Sequence, residues 1–323
     1  MQAWVVEEIT QHGRMELRDV GIPAASGDGC VVQVEAAGVN FLDTLMVRGR
    51  YQVKPPLPFT PGIEAVGRVV EAGPGSPHAV GDRICATTGQ GGYAEYAAVP
   101  RGASEHVPQD LSVDDAVGLM IAYPTAYLAL RTRAALQPGE TVLVNGGAGG
   151  VGSAAIHLAK HWGARVIAAA GGPDKVALCR AMGADVAFDY RAEPLVDAVR
   201  REVGSRGVDV VFDPVGGQVA LDSLRCLGWG GRFLVVGFAA GPIPELPANR
   251  LLLNSASALG VYWGGYRARD PAGASAIFNE LLGLARAGVA RPIVSQHFPL
   301  DQAQQALEAI ASRSTVGKVV LVP

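Results

Sequence analysis

The chain has 323 residues, a net charge of −3 and a mean hydropathy of +0.22. At about 100–200 residues per domain that length fits two domains, and 49% hydrophobic against 18% charged residues excludes a disordered chain. The slightly acidic balance excludes a protein that grips nucleic acid or an anionic membrane by charge alone.

No run of about 20 apolar residues is present to span a bilayer. The longest uncharged runs, Ala116–Leu130 and Leu251–Tyr266, are interrupted by Pro124, Asn254 and Gly260. The segment Met1-Gln2-Ala3-Trp4 reads as the approach to a strand, so no secretory signal is expected. Cys30, Cys85, Cys179 and Cys226 are scattered with no CxxC spacing. Neither a disulfide scaffold nor a zinc knuckle is therefore expected, and a reducing, cytoplasmic setting is.

In chain order, the first third reads as short β segments, among them Cys30–Glu35, Ala65–Glu71 and Arg83–Ala86. Turn clusters such as Gly73-Pro74-Gly75-Ser76-Pro77 break them up, which predicts a barrel-like β domain. After Pro124 the pattern alternates. Strands are predicted at Thr141–Asn145, Arg165–Ala170, Val186–Tyr190, Val208–Asp213 and Arg232–Gly237, with a sixth at Ala256–Trp263. Helices are predicted between them at Val151–Trp162, Asp174–Met182, Leu195–Val203 and Gly217–Leu227. Regular βα alternation predicts a doubly wound parallel six-stranded sheet with helices on both faces, an α/β fold. The remaining segment reads as helices at Ala274–Ala287 and Leu300–Ser312 and a closing strand, Gly317–Val322. It is expected to return to the β domain, since the doubly wound unit is complete near Trp263.

The most informative motif is Asn145-Gly146-Gly147-Ala148-Gly149-Gly150-Val151-Gly152. Gly147, Gly149 and Gly152 fit GxGxxG between an apolar strand and a helix. Such glycines permit a tight turn, backbone approach to a pyrophosphate and close helix–strand packing, and the helix N-terminus then faces the phosphates. An NAD site normally carries an acid at the end of the second strand. Here that strand ends Ala168-Ala169-Ala170-Gly171-Gly172, followed by Lys175. A small neutral strand end with a nearby lysine admits a 2′-phosphate, so NADPH is the expected cofactor. Tyr190 and Arg191, closing the third strand, are candidates to wall the same pocket.

Several further motifs carry a resemblance. Gly38-Val39-Asn40-Phe41-Leu42-Asp43, Pro61-Gly62-Ile63-Glu64-Ala65-Val66-Gly67, Val80-Gly81-Asp82-Arg83 and Gly92-Tyr93-Ala94-Glu95-Tyr96, with the glycine loop, resemble the medium-chain dehydrogenase/reductase superfamily. Asp189-Tyr190-Arg191, Phe212-Asp213-Pro214-Val215-Gly216-Gly217 and Gly317-Lys318-Val319 resemble its zinc-free quinone oxidoreductase branch, the zeta-crystallin-like proteins. The resemblance implies a GroES-like catalytic domain, residues 1–123 and 265–323, with a Rossmann NADP(H)-binding domain, residues 124–264. It further implies a site in the cleft between them and a homodimer formed through the edge strand Ala256–Trp263. Zinc-dependent members place a cysteine ligand where this chain has Asn40 and a histidine where it has Ile63. The structural-zinc lobe is missing as well, so no metal is expected.

The resemblance also assigns candidate residues. Asn40, Asp43 and Tyr51 are the catalytic candidates, Tyr51 because related enoyl thioester reductases place a tyrosine there. Thr125, Gly147, Ala148, Gly149, Gly150, Val151, Gly152, Gly171, Lys175, Tyr190, Val215, Phe238 and Lys318 are the cofactor candidates. The activity implied is NADPH-dependent reduction of a quinone, by hydride or stepwise electron transfer and without a metal. Two alternatives stand beside it: reduction of an enone or enoyl-CoA, and a nucleotide-binding protein with a structural or RNA-binding role. The absence of a Lys/Arg stripe argues against the last.

Overall fold

The structure is a computed structural model that describes residues 1–323. It divides the chain into two compact units, Met1–Ile121 with Pro292–Pro323, and Ala122–Arg291. The strands are β1 Gln2–Val5, β2 Glu16–Asp19, β3 Cys30–Val39, β4 Glu64–Ala72, β5 Arg83–Thr87, β6 Tyr96–Val99, β7 Ser104–His106, β8 Thr141–Asn145, β9 Arg165–Ala170, β10 Val186–Asp189, β11 Val208–Asp213, β12 Leu227–Val235, β13 Ser257–Gly260, β14 Val294–Pro299 and β15 Lys318–Val322.

The first unit is built on a sheet ordered β14-β15-β3-β4-β5-β7, with β6 also paired to β3 and a separate β1-β2 ribbon. β3 is its spine and pairs antiparallel with β4, β6 and β15. Its apolar residues Val32, Val34, Ala37 and Val39 enter one core with Val69, Ile84, Tyr93, Leu307 and Leu321. The returning C-terminal segment is thus part of the sheet and the core. Trp4 reinforces this from the other end of the chain, its indole N–H donating to the Leu300 carbonyl at 2.6 Å.

The second unit holds a six-stranded sheet ordered β10-β9-β8-β11-β12-β13, with every pairing parallel. This is the dinucleotide-binding order, whose direction reverses between β8 and β11. The middles of the central strands, Val142–Val144 and Val210–Phe212, are apolar and buried because helices cover both faces. All five residues of Thr141–Asn145 are buried. No helix is long and apolar enough to cross a membrane.

Two expectations need correction. The second domain boundary falls at 291/292, not at 264/265, and the first at 121/122, not at 123/124. The reason lies in helices Trp263–Arg269 and Pro271–Arg286, which stay with the α/β unit: Tyr127 donates its hydroxyl to Glu280 at 2.7 Å, and Trp263 and Phe278 are buried. The fifth strand of the sheet also begins earlier than expected. The expected helix to Leu227 and strand from Arg232 leave Gly228-Trp229-Gly230-Gly231 between them, and the strand absorbs these residues as a bulge, Leu227 pairing with Val208 and Arg232 with Val210. The preceding helix correspondingly ends at Leu224.

Candidate active site

In the second unit the strand ends gather most of the expected cofactor residues. β8 ends at Asn145, and Gly146 turns the chain at φ +60°, a conformation that favours glycine. The Gly147 amide donates to the Ala169 carbonyl at 3.0 Å and the Gly149 amide to Gly146 at 2.9 Å. A Cβ on Gly152 would strike the Gly146 carbonyl, so the helix and loop can close only around a glycine there. Helix Gly150–His161 starts with no side chain capping it, leaving its first N–H groups for an anion.

The sheet's switch point is locked by a buried polar bridge. Asn145 donates through Nδ2 to Asp213 Oδ1 at 3.1 Å and to Ser223 Oγ at 2.8 Å. Asp213 also accepts from the Val215 and Gly216 amides, each at 3.1 Å, and burial pushes its carboxyl up from the usual value. Val215 and Phe238 are brought beside the loop in this way. A Cβ on Gly146 would lie 3.4 Å from Val215 Cγ2, and one on Gly216 3.0 Å from Phe238 Cδ1. Thr125 is buried on helix Ala122–Tyr127, which is tied to helix Gly150–His161 by a 2.6 Å hydrogen bond between the Tyr123 hydroxyl and His157 Nδ1.

The end of β9 fits a phosphate-bearing ribose. A Cβ on Gly171 would lie 2.5 Å from the Tyr190 hydroxyl and 3.0 Å from Arg191 Nε, so the glycine leaves room for both groups over the strand end. Lys175 stands half-buried in the first turn of helix Pro173–Ala181. Asp189 accepts from the Arg191 amide at 2.9 Å and from the Gly172 amide at the end of β9, which hold its carboxyl below the usual value. The residues around this strand end therefore offer cations and a phenol, the donor set for a dianionic 2′-phosphate.

In the first unit, Asn40 and Asp43 belong to a buried network that the sequence did not reveal. Asn40 follows β3, Glu64 opens β4 and Lys318 opens β15. Because β3 runs antiparallel to both neighbours, its end meets their beginnings. The Lys318 ammonium is ion-paired with Glu64 Oε1 and donates to Asn40 Oδ1 at 2.7 Å, while Asn40 Nδ2 donates to Glu64 Oε1 at 2.9 Å. Gly38 provides the space, since a Cβ there would collide with the Glu64 carboxylate. Asp43, in helix Phe41–Met46, accepts the Asn40 N–H at 2.8 Å and the Tyr93 hydroxyl at 3.0 Å.

Burial dominates the electrostatics. It presses the Lys318 ammonium down to about 7, with Asp43 pulling the other way; the Glu64 carboxylate against it works on the side of Asp43. It pushes Asp43 up to about 6 against the hydrogen bonds from Asn40 and Tyr93, and Asp43 Oδ1 is buried without a partner.

Not every expected residue keeps its expected part. Asp43 is 0% exposed and Lys318 4%, and both are spent on neighbours within the network. Tyr51 is half-buried against the core of the same unit. Glu64, Tyr93, Asn145 and Asp213 were visible only as letters inside motifs. Their partners are remote in sequence, 278 residues apart for Asn40 and Lys318, and no local pattern signals such pairs.

Comparison with known proteins agrees with this architecture. Residues 26–109 match the alcohol dehydrogenase GroES-like domain, and residues 150–280 match the zinc-binding dehydrogenase family. Quinone oxidoreductase-like protein 2 of Rattus norvegicus is 43% identical over 292 residues, covering 90% of this chain and 83% of its own. Quinone oxidoreductase of Sus scrofa is 33% identical over 310 residues, covering 94% and 92%. The Thermus thermophilus quinone oxidoreductase, solved alone and in complex with NADPH, superposes with a TM-score of 0.83 at 38% identity over the whole of both chains. A GroES-like unit with a Rossmann sheet and its glycine loop defines an oxidoreductase of the medium-chain dehydrogenase/reductase superfamily. Within it, the chain belongs to the quinone oxidoreductase family.

The zinc that the second of these family descriptions implies does not fit the residues at the positions expected for it. Asn40 offers an amide and Ile63 no ligand atom, and both carboxylates beside Asn40 are engaged, Glu64 by the Lys318 ammonium and Asp43 by the Asn40 N–H and the Tyr93 hydroxyl. A zinc ion needs three or four N, S or O ligands, more than these positions leave free.

The Asp43 environment has a testable consequence. Its folded pKa lies above its unfolded value, so the native state holds a proton that the unfolded chain has already lost. Its contribution to stability is therefore largest below about pH 4 and declines as the pH rises to about 6. Urea unfolding of the wild type and Asp43→Asn across that range should show the wild-type advantage shrinking with pH; a constant difference contradicts the assignment.

Proposed function

We propose that the chain is an NADPH-dependent reductase of quinones. The observation that carries this reading is the Lys318 ammonium seated on Asn40 and Glu64. With a fixed ammonium where a metal-using relative would hold its Lewis acid, the acceptor must be electron-poor by itself. A quinone meets that condition because its ring stabilises the reduced oxyanion. The relatives' names point the same way.

NADPH, when bound, supplies the hydride equivalent. Gly171, Lys175, Tyr190 and Arg191 bind the 2′-phosphate, the Gly147–Gly152 loop presents to the pyrophosphate the backbone N–H groups that Gly147 and Gly149 do not spend on carbonyls, and Thr125, Val215 and Phe238 border the nicotinamide. Asn40 and Tyr51 are the catalytic residues in this reading, orienting the acceptor oxygen and stabilising its developing charge, with Asn40 Nδ2 giving up its long 3.4 Å contact to the Gly38 carbonyl to do so. Asp43 is reassigned as a positioning residue that fixes the Asn40 backbone through the 2.8 Å hydrogen bond. Lys318 is likewise reassigned: it acts through Asn40 and does not bind the cofactor directly. A homodimer joined along β13 remains part of the proposal, supported by the edge position of that strand and by the exposed Leu252, Leu253 and Tyr262 near it. A reducing compartment is supported by four free, buried cysteines.

Steady-state NADPH oxidation with an ortho- or para-quinone and with a short enoyl-CoA tests the acceptor. Fast quinone turnover with little enoyl-CoA activity is expected. The reverse overturns the quinone assignment and moves Tyr51 to the centre of an enoyl thioester reduction. For the cofactor, Lys175→Ala should raise the KM for NADPH about tenfold, the loss of one charge-assisted contact, while changing that for NADH much less. Equal losses with both nucleotides contradict the 2′-phosphate site.

A further inference from the structure

The first unit contains a second constellation of ligand-type side chains that plays no part in the proposed reduction. The loop ahead of β5 carries His78 and Asp82, and β7 carries Ser104 and His106. Ser104 and His106 are two residues apart on a strand and so face the same side. Both meet His78. His78 Nδ1 lies 3.2 Å from His106 Nε2, and His78 Nε2 lies 2.7 Å from Ser104 Oγ. Asp82 Oδ2 is 3.7 Å from His106 Nε2. One ligand atom from each of His78, Asp82 and His106 falls within 4.8 Å of the others.

These distances have the scale of a coordination sphere. Bonds of about 2.0–2.1 Å in a tetrahedron place neighbouring ligand atoms about 3.3 Å apart. The two imidazole nitrogens already stand at that separation, and the carboxylate, within 4.8 Å of both, closes the sphere by a movement of at most about 1.5 Å. The orientation is prepared as well. With Ser104 Oγ accepting from the His78 Nε2–H, the Nδ1 lone pair is left facing His106 and Asp82, the arrangement by which an outer partner fixes a ligating histidine's tautomer. Asp82 is held by its turn, Oδ2 accepting the Ala79 amide at 2.8 Å. His78 is buried at 8% exposure, whereas the His106 side chain is 60% exposed, so the cluster has a firm floor and an open side.

We propose that His78, Asp82 and His106 form a binding site for one divalent first-row transition ion, which clips the loop ahead of β5 to β7. Two imidazoles and one carboxylate are borderline ligands that suit zinc over magnesium or calcium. Three protein ligands leave a fourth position for water on the open side. The site stands apart from Asn40 and Ile63, and it does not rest on the proposed reduction.

The test uses the full chain, washed with chelator and titrated with zinc by calorimetry and with cobalt(II) by visible absorption. One ion per chain is expected, with the intense d–d bands of tetrahedral cobalt(II). Ser104→Ala should weaken zinc binding about 10–100-fold, as loss of an orienting partner does. His106→Ala and the size-keeping His106→Gln should weaken it further. Without metal, both His106 variants should melt with the wild type and turn over NADPH at its rate, which separates lost binding from lost folding. Absence of zinc uptake at millimolar metal overturns the proposal. Uptake that survives both His106→Gln and Asp82→Asn overturns it equally.

Discussion

The first unit depends on an ion pair that could not exist on an incomplete sheet. Glu64 and Lys318 are enclosed, and an isolated buried charge carries an effective penalty of several kcal/mol. Each is tolerable only while the other is present, so β4 and β15 must both be in place beside β3. The same constraint explains local features that look unrelated. Gly38 has no side chain because the carboxylate fills that space. Asn40 spans the pair, giving an amide N–H to the acid and a carbonyl to the ammonium. Asp43 and Tyr93 then fix the Asn40 backbone from beneath. A chain segment arriving more than 270 residues after Asn40 thereby sets the position of a candidate catalytic amide.

The second unit solves a similar problem with neutral partners. Its loops all leave from the carboxyl ends of parallel strands, where backbone groups pass from sheet pairing to turn pairing. Asn145 and Asp213 cross the reversal point of the strand order and give the Val215 and Gly216 amides an acceptor. The glycine loop is held by its own backbone bonds, so its geometry depends little on side chains. Rigid loops of this kind present N–H groups to phosphates at little conformational cost.

How far this was legible in the sequence follows from the range of the interactions. The parallel sheet was readable because its signal is local: Arg165–Ala170, Leu195–Val203 and Val208–Asp213 have the bounds that apolar periodicity predicts. Glycine misled where it had two uses. In Gly228–Gly231 it marks a bulge inside a strand, which composition alone reads as a turn. The domain boundary failed for another reason. Completion of the sheet in sequence does not mark the end of the unit, because the buried faces of helices Trp263–Arg269 and Pro271–Arg286 pack on within it. Among the candidate site residues, those inside motifs are legible in the sequence, while most of the partners that hold them are not. Lys318 is marked by its motif and Glu64 is an ordinary acid in sequence; the two become a pair only through strand order.

The most direct test of this account is a double-mutant cycle on Glu64→Gln and Lys318→Met, read by urea unfolding of the full chain. Removing one partner strands the other, so each single variant should lose about 3–5 kcal/mol. The double variant should lose markedly less than the sum, leaving a coupling of at least about 1 kcal/mol. Additive losses would mean that the two charges do not depend on each other, and the pair could not then be the constraint that places Asn40.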